Sequence, residues 1–263
     1  MDTTLCIAKK ELADILNSKL VLIMLIFYVI VFVFSFNNSV SFRSENIGNL
    51  FMLFTYSTCY YSTLVAMSLG YSSFFAEMDG KAINTLLTKP LYRDTIINGK
   101  LLNALILSVG LFAFTTVLYI LAILIYYNDP VEILSLFFNI LPLMFFLSIL
   151  CIIFFYSLTM MVCILIKDQV LSLFSSCLLW IILFYLINDN WFAGYVSYFF
   201  HSSELEYLIC SFSPSWLVHS VLEQPDLLMA TTVYGNTDLI KLSLYTFITV
   251  IITYIAFIRR DIN

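Results

Sequence analysis

Six stretches of this chain are apolar for long enough to cross a lipid bilayer, and that restricts the folds open to it. They are Leu20–Phe36, Leu50–Phe75, Leu101–Tyr127, Ile140–Ile166, Val170–Ile187 and Ile240–Ile258. A helix of about 20 apolar residues spans a hydrocarbon core of about 30 Å. Backbone groups find no water in lipid and must be satisfied within the spanning segment. The expectation is an all-α membrane protein of six transmembrane helices. The first run is slightly short. The start of the fourth is left open, because Val131–Phe138 is apolar too. Pro142 is expected in the first turns of that span, where proline is tolerated.

Composition agrees. Of the 263 residues, 62% are hydrophobic and 11% charged, where soluble domains average about 45–50% apolar and about 25% charged. Residues 1–263 read as a single membrane domain. Its six cysteines form no C-x-x-C pair, and four lie inside apolar runs as small hydrophobes. His201 and His219 are far from any of the cysteine clusters a metal site would need, so no metal site is expected. The first apolar run follows Lys9 and Lys10 but is long, and "FVFSFNN" offers no small-x-small cleavage site. It reads as a retained helix rather than a signal peptide.

Charge orients the spans. Six crossings put both termini on one side. That side holds Lys9, Lys10, Lys19, Lys81, Lys89, Arg93, Lys100, Lys167, Arg259 and Arg260; the other holds Arg43, with Lys241 at its boundary. The positive-inside rule makes the lysine-rich side cytoplasmic, in a cell membrane. The opposite loop, Asn188–Leu239, has no Lys or Arg within it but carries Asp189, Glu204, Glu206, Glu223, Asp226 and Asp238. Its Trp191, Phe192, Tyr195, Tyr198, Phe199, Phe200, Trp216 and Leu217 suit short helices half-sunk in the outer interface.

Two segments on the basic side are distinctive. Residues 3–19 place Leu5, Ala8, Leu12, Ile15 and Leu16 on one helical face and Lys10, Asp14 and Asn17 on the other. Such a helix lies in the interface. The second segment, "EMDGKAINTLLTKPLYRDTIINGK", runs from Glu77 to Lys100 between two apolar runs. Ala82, Ile83, Leu86 and Leu87 recur at helical spacing and Pro90 ends the pattern, giving a helix from Glu77 to Lys89. Asp94 could cap a second helix leading into the third span. The knuckle is either a lipid-surface anchor whose lysines meet anionic headgroups or a docking ridge for a partner's groove.

This segment resembles the permeases of ABC-2 type ATP-binding cassette transporters. Their pattern after span two is roughly E-x-E-x-G-T-L-x-x-L-L-x-x-P, then Arg, then G-K-L. Here Glu77, Asp79, Ile83, Leu86, Leu87 and Pro90 fall at matching places, and Arg93, Gly99, Lys100 and Leu101 follow in register. The family's Gly-Thr falls on Lys81-Ala82, a departure at the start of the helix. "KKELADILNSKLVL" is similar to the elbow helix that opens these permeases, "SFSPSWLVHSVL" to a Pro-containing segment before their last span, and "FIRRDI" to their basic C-terminal end.

The resemblance implies that residues 77–100 form the coupling helix region, resting on a separate ABC ATPase subunit. The coupling residues would be Glu77, Asp79, Ile83, Leu86, Leu87, Lys89, Pro90, Arg93, Gly99 and Lys100. It also implies a second permease copy or paralogue, ATP and Mg on the partner ATPase, and an exporter working by alternating access. Membrane lipid is a partner; nucleic acid is not.

The chain offers no ATP site of its own. Its Gly-Lys pairs are Gly80-Lys81 and Gly99-Lys100, and a P-loop would need Gly where Phe75 or Asp94 stands and Ser or Thr where Ala82 or Leu101 stands. The six runs contain no Asp, Glu, His or Arg, which disfavours an ion-driven carrier and an intramembrane enzyme. A channel or structural membrane protein without an ATPase remains the alternative. On span two, Tyr56, Tyr60, Thr63, Met67 and Tyr71 share a face. In the resembled family this span helps line the substrate route; otherwise its hydroxyls bond backbone or a neighbouring helix.

Overall fold

The computed structural model describes residues 3–17, 19–41, 53–79, 93–127, 130–166, 168–183, 191–201, 209, 213–214, 217–218 and 233–259. Among them are eight helices and no strand. We label them α1 (Thr3–Leu16), α2 (Lys19–Ser41), α3 (53–79), α4 (Arg93–Tyr126), α5 (Pro130–Leu165), α6 (Gln169–Ile181), α7 (Trp191–Phe200) and α8 (Val233–Arg259). Within α3, Tyr56–Tyr61 is π-helical and Ser62–Asp79 is α-helical. Three helices are long and apolar enough to cross a membrane, over Asp94–Tyr126, Pro130–Leu165 and Asp238–Arg259. Val21–Phe36 and Gln169–Ile181 are shorter apolar helices.

Several helices outrun the apolar patterns that announced them. At 1.5 Å per residue, the 34 residues of α4 extend about 51 Å, well beyond a hydrocarbon core of about 30 Å. α4 begins at Arg93, so Asp94 lies in its first turn, complementing the helix dipole instead of capping it. α5 starts at Pro130, a residue suited to a first helical position. Pro142 therefore sits inside the helix, not in its first turns, because helix formation reaches back through Val131–Phe138. Asp168 caps α6, accepting a hydrogen bond from the Leu171 backbone N–H at 3.0 Å.

α5 is the axis of the bundle, packing on α3, α4, α6 and α8. α2 packs along α3, and Tyr28 carries it to α4: the phenol lies 2.6 Å from Thr115 Oγ1 and 3.1 Å from the Ser57 carbonyl. An aromatic cluster fills one end, where Phe54, Tyr119 and Phe137 have ring centroids 4.8–5.0 Å apart. The outward faces of α2, α4, α6 and α8 are lined with exposed Leu, Ile, Val and Phe, the surface a lipid solvent accepts.

Lipid supplies little hydrophobic drive between helices, so close approach and hydrogen bonds hold them together. Gly70 lets α3 onto α5: a Cβ there would lie 2.9 Å from the Tyr156 carbonyl oxygen. Hydroxyls join α5 to α8. Ser157 donates to Thr249 at 3.1 Å, and Thr253 donates to the Ser157 carbonyl at 2.9 Å. The π-helical stretch is rich in side-chain bonds to its own backbone. Ser57 and Thr58 both donate to the Phe54 carbonyl, each at 2.8 Å, and Ser62 donates to that of Thr58. Such side-chain bonds compete with the regular backbone ladder.

The acidic loop is described in part. α7 exposes Tyr195, Tyr198, Phe199 and Phe200. Leu217 was expected at the interface, but it and Val218 are buried in the cluster of α3, α5, α6 and α8. Ser213 holds this piece in place by donating to the Leu183 carbonyl at 2.9 Å.

Candidate functional site: a charged clasp at the root of the 77–100 segment

The amphipathic pattern of α1 generates the site. Its inward face consists of Ala8, Glu11 and Ile15, with Lys9, Lys10, Asp14 and Asn17 outward. Leu5, expected on the apolar side, is 53% exposed. The inward face turns one carboxylate into the protein, and Glu11 is only 6% exposed. α1 packs mainly against α4, with smaller contacts to α3 and α2.

Lys100 answers that carboxylate from α4. It is fully buried, and its Nζ donates to Glu11 Oε1 at 2.7 Å and to the Ser73 carbonyl at 2.7 Å. Ser73 Oγ lies 3.1 Å from the same nitrogen and donates to Glu11 Oε2 at 3.0 Å. The Tyr156 hydroxyl, from α5, reaches Ser73 Oγ at 3.3 Å and the Lys100 carbonyl at 3.4 Å. The ammonium thus has three acceptors, and both carboxylate oxygens accept. A buried ion pair is tolerable only when its remaining hydrogen-bonding capacity is met in this way.

Gly99 makes the approach possible. A Cβ on it would lie 2.7 Å from Ile7 Cγ2 and 3.4 Å from the Thr4 carbonyl oxygen. Any side chain at position 99 would push α1 off α4.

These contacts relocate part of the expected coupling set. Gly99 and Lys100 face α1 and the interior, so neither presents a side chain to a partner surface. Glu77 and Asp79 belong to the last turns of α3, where the backbone continues that helix instead of starting a new one. Arg93 opens α4. Ile83, Leu86, Leu87, Lys89 and Pro90, and the helix expected through them, lie outside the described residues. Ser73 precedes Glu77 by one turn and Lys100 closes the segment, so the clasp binds the two stems of residues 77–100 to each other and to α1.

The middle of the expected pathway face is covered by protein. Tyr60, Thr63 and Met67 are buried, and Tyr56 and Tyr71 are half-buried. Trp180 Nε1 of α6 donates to Thr63 Oγ1 at 2.8 Å, and Tyr60 and Met67 pack with Phe154, Phe155 and Trp180. Other hydroxyls of α3 bond backward to its own carbonyls, as Ser68 does to Val65 at 2.7 Å and Ser72 to Leu69 at 3.1 Å.

Glu11, Ser73 and Tyr156 were not singled out from sequence. Glu11 had a readable signal, since it sits at i+3 from Ala8 and i−4 from Ile15 on the face that packs. An acid on the apolar side of an amphipathic helix needs a buried cation. Ser73 and Tyr156 had none, being hydroxyls among many.

The family model described as ABC-2 family transporter protein matches residues 5–262 of the chain. No curated protein matches it.

Proposed function

Because the chain belongs to the ABC-2 family of transporter proteins, a family of membrane permease components, we propose that it is the transmembrane subunit through which a separate ABC ATPase drives cargo across a cell membrane. The observation that carries this reading is the family match along almost the whole chain. The clasp supports it, since it ties both stems of residues 77–100 into the bundle. In this reading α2, α3, α4, α5, α6 and α8 are six spans, α1 is the elbow helix, and both termini are cytoplasmic. Ten of the chain's twelve Lys and Arg then fall on the cytoplasmic side.

Residues 77–100 dock on the ATPase through Ile83, Leu86 and Leu87, with Glu77, Asp79, Lys89 and Arg93 around them and Pro90 ending the ridge. ATP and Mg act on the ATPase. Two permease chains, identical or paralogous, pair with two ATPases, and nucleotide-driven closure tilts the spans in alternating access, in the direction of export. Tyr56, Tyr60, Thr63, Met67 and Tyr71 line the route, with Tyr60, Thr63 and Met67 uncovered when α3 moves away from α6. The aromatic face of α7 sits in the outer interface, against lipid.

The test is purification of the tagged chain in mild detergent from its own host, with identification of what accompanies it. A stoichiometric soluble ATPase bearing a P-loop is expected, and its loss when Leu86 and Leu87 are both replaced by Asp. A chain that purifies without an ATPase, under conditions that preserve other membrane complexes, would instead favour a channel or structural protein, with residues 77–100 as a lipid-surface anchor.

A further inference from the structure

Glu11 and Lys100 come from opposite sides of the 77–100 segment's attachment. One lies on the helix that packs against its base, the other at the segment's last residue. Ser73 joins them from the turn before its first residue. All three are buried, and every charged atom of the pair is engaged within the cluster. Prising α1 away from α4 would strand a carboxylate and an ammonium without their partners. Sliding α1 along α4 would carry Ile7 and the Thr4 carbonyl off the side-chain-free seat that Gly99 provides. Both separation and shear are therefore resisted at one level of the bundle.

We infer that Glu11 and Lys100 are positioning residues that lock α1, the end of α3 and the start of α4 into one lever, so that α1 travels with the 77–100 segment when the ATPase closes. This rests on the permease reading above. The residues touch neither cargo nor nucleotide; they act by keeping three helices in fixed relation. The pair supplies the grip, because low-dielectric surroundings strengthen it and salt screens it little. Gly99 supplies the fit.

The lever is tested by attaching spin labels at Lys10 on α1 and Asn98 on α4, both exposed, with the native cysteines replaced. The α1–α4 distance is measured in the purified permease–ATPase complex in lipid nanodiscs, without nucleotide and trapped with Mg·ATP and vanadate. In the otherwise native chain the distance should be the same in both states. In Lys100→Met it should become nucleotide-dependent, shifting by roughly 2 Å or more as α4 moves and α1 lags. Lys100→Arg, which keeps the charge, should restore the constant distance. If Lys100→Met does not assemble, Glu11→Gln takes its place, since it keeps the shape and removes the charge.

A nucleotide-dependent distance in the native-charge chain would overturn the lever. So would a distance that stays constant in the Lys100→Met complex. Broadening of equal size in both states would also overturn it, because that is what a purely structural ion pair produces. Failure of the permease reading is seen earlier and separately, as the absence of a co-purifying ATPase.

Discussion

Gly99 of α4 faces Ile7 of α1 so closely that a β-carbon on the glycine would stand 2.7 Å from Ile7 Cγ2 and 3.0 Å from its Cβ. Neither contact is with the far end of a flexible side chain. Gly99→Ala should therefore lower the thermal midpoint of the purified protein, by the equivalent of about 1–3 kcal/mol for an overpacked site. Gly110, on the same helix, has nothing within 4 Å of its added Cβ. Gly110→Ala should be neutral or stabilise by up to about 1 kcal/mol, the helix-propensity difference. Equal loss in both variants would refute this account of position 99.

The Glu11–Lys100 pair should show strong non-additivity. Lys100→Met alone leaves a buried carboxylate, and Glu11→Leu alone a buried ammonium; each should destabilise by about 3–5 kcal/mol. The double variant removes both charges and should recover most of that loss. A denaturation series in mixed detergent micelles measures all four corners of the cycle. Losses that simply add would mean the two groups do not interact.

Trp180 and Thr63 join α6 to α3 by one hydrogen bond of 2.8 Å. Side-chain bonds between membrane helices average about 0.6 kcal/mol, with a maximum near about 1.7 kcal/mol. A cycle of Trp180→Phe and Thr63→Val should give a coupling energy in that range. Zero coupling would show that the indole nitrogen and the threonine hydroxyl do not meet in the membrane.

Asn103 is fully buried one turn after Lys100, and among the described residues neither atom of its amide makes a hydrogen bond. An unmet buried polar group costs about 1–3 kcal/mol. Asn103→Leu, close in size and apolar, should raise the thermal midpoint. A fall of the size seen for Lys100→Met would show that the amide has a partner after all.

Much of the bundle could be read one helix at a time. The apolar runs located α2, α4, α5, α6 and α8, because a lipid-facing helix must be apolar along its length whatever packs beside it. Their ends were less legible. α4 starts at Arg93 and α5 at Pro130, outside the apolar patterns, because a helix ladder continues through polar residues when neighbours or water satisfy them. The amphipathic pattern of α1 was also legible, although the pattern named Leu5 for the packed side and passed over Glu11.

The clasp was harder to see. Lys100 was visible as part of a Gly-Lys pair following a charged segment, which suggested an outward role. Its inward direction depends on α1 packing against α4, a contact between residues 89 positions apart in the chain. No local pattern encodes that distance. The same holds for Thr63 and Trp180, whose bond joins residues 117 positions apart in the chain.

The sequence by itself determined the apolar solvent this protein needs, the helical form of its long apolar runs and the places between those runs where its basic residues cluster. Those are properties of single segments, set by hydrophobicity and backbone hydrogen bonding. Only the tertiary structure decided which polar groups meet. It brought Glu11, Ser73, Lys100 and Tyr156 from four helices to one buried point. A charge can be buried only where several partners converge, and that convergence is a property of the packed bundle.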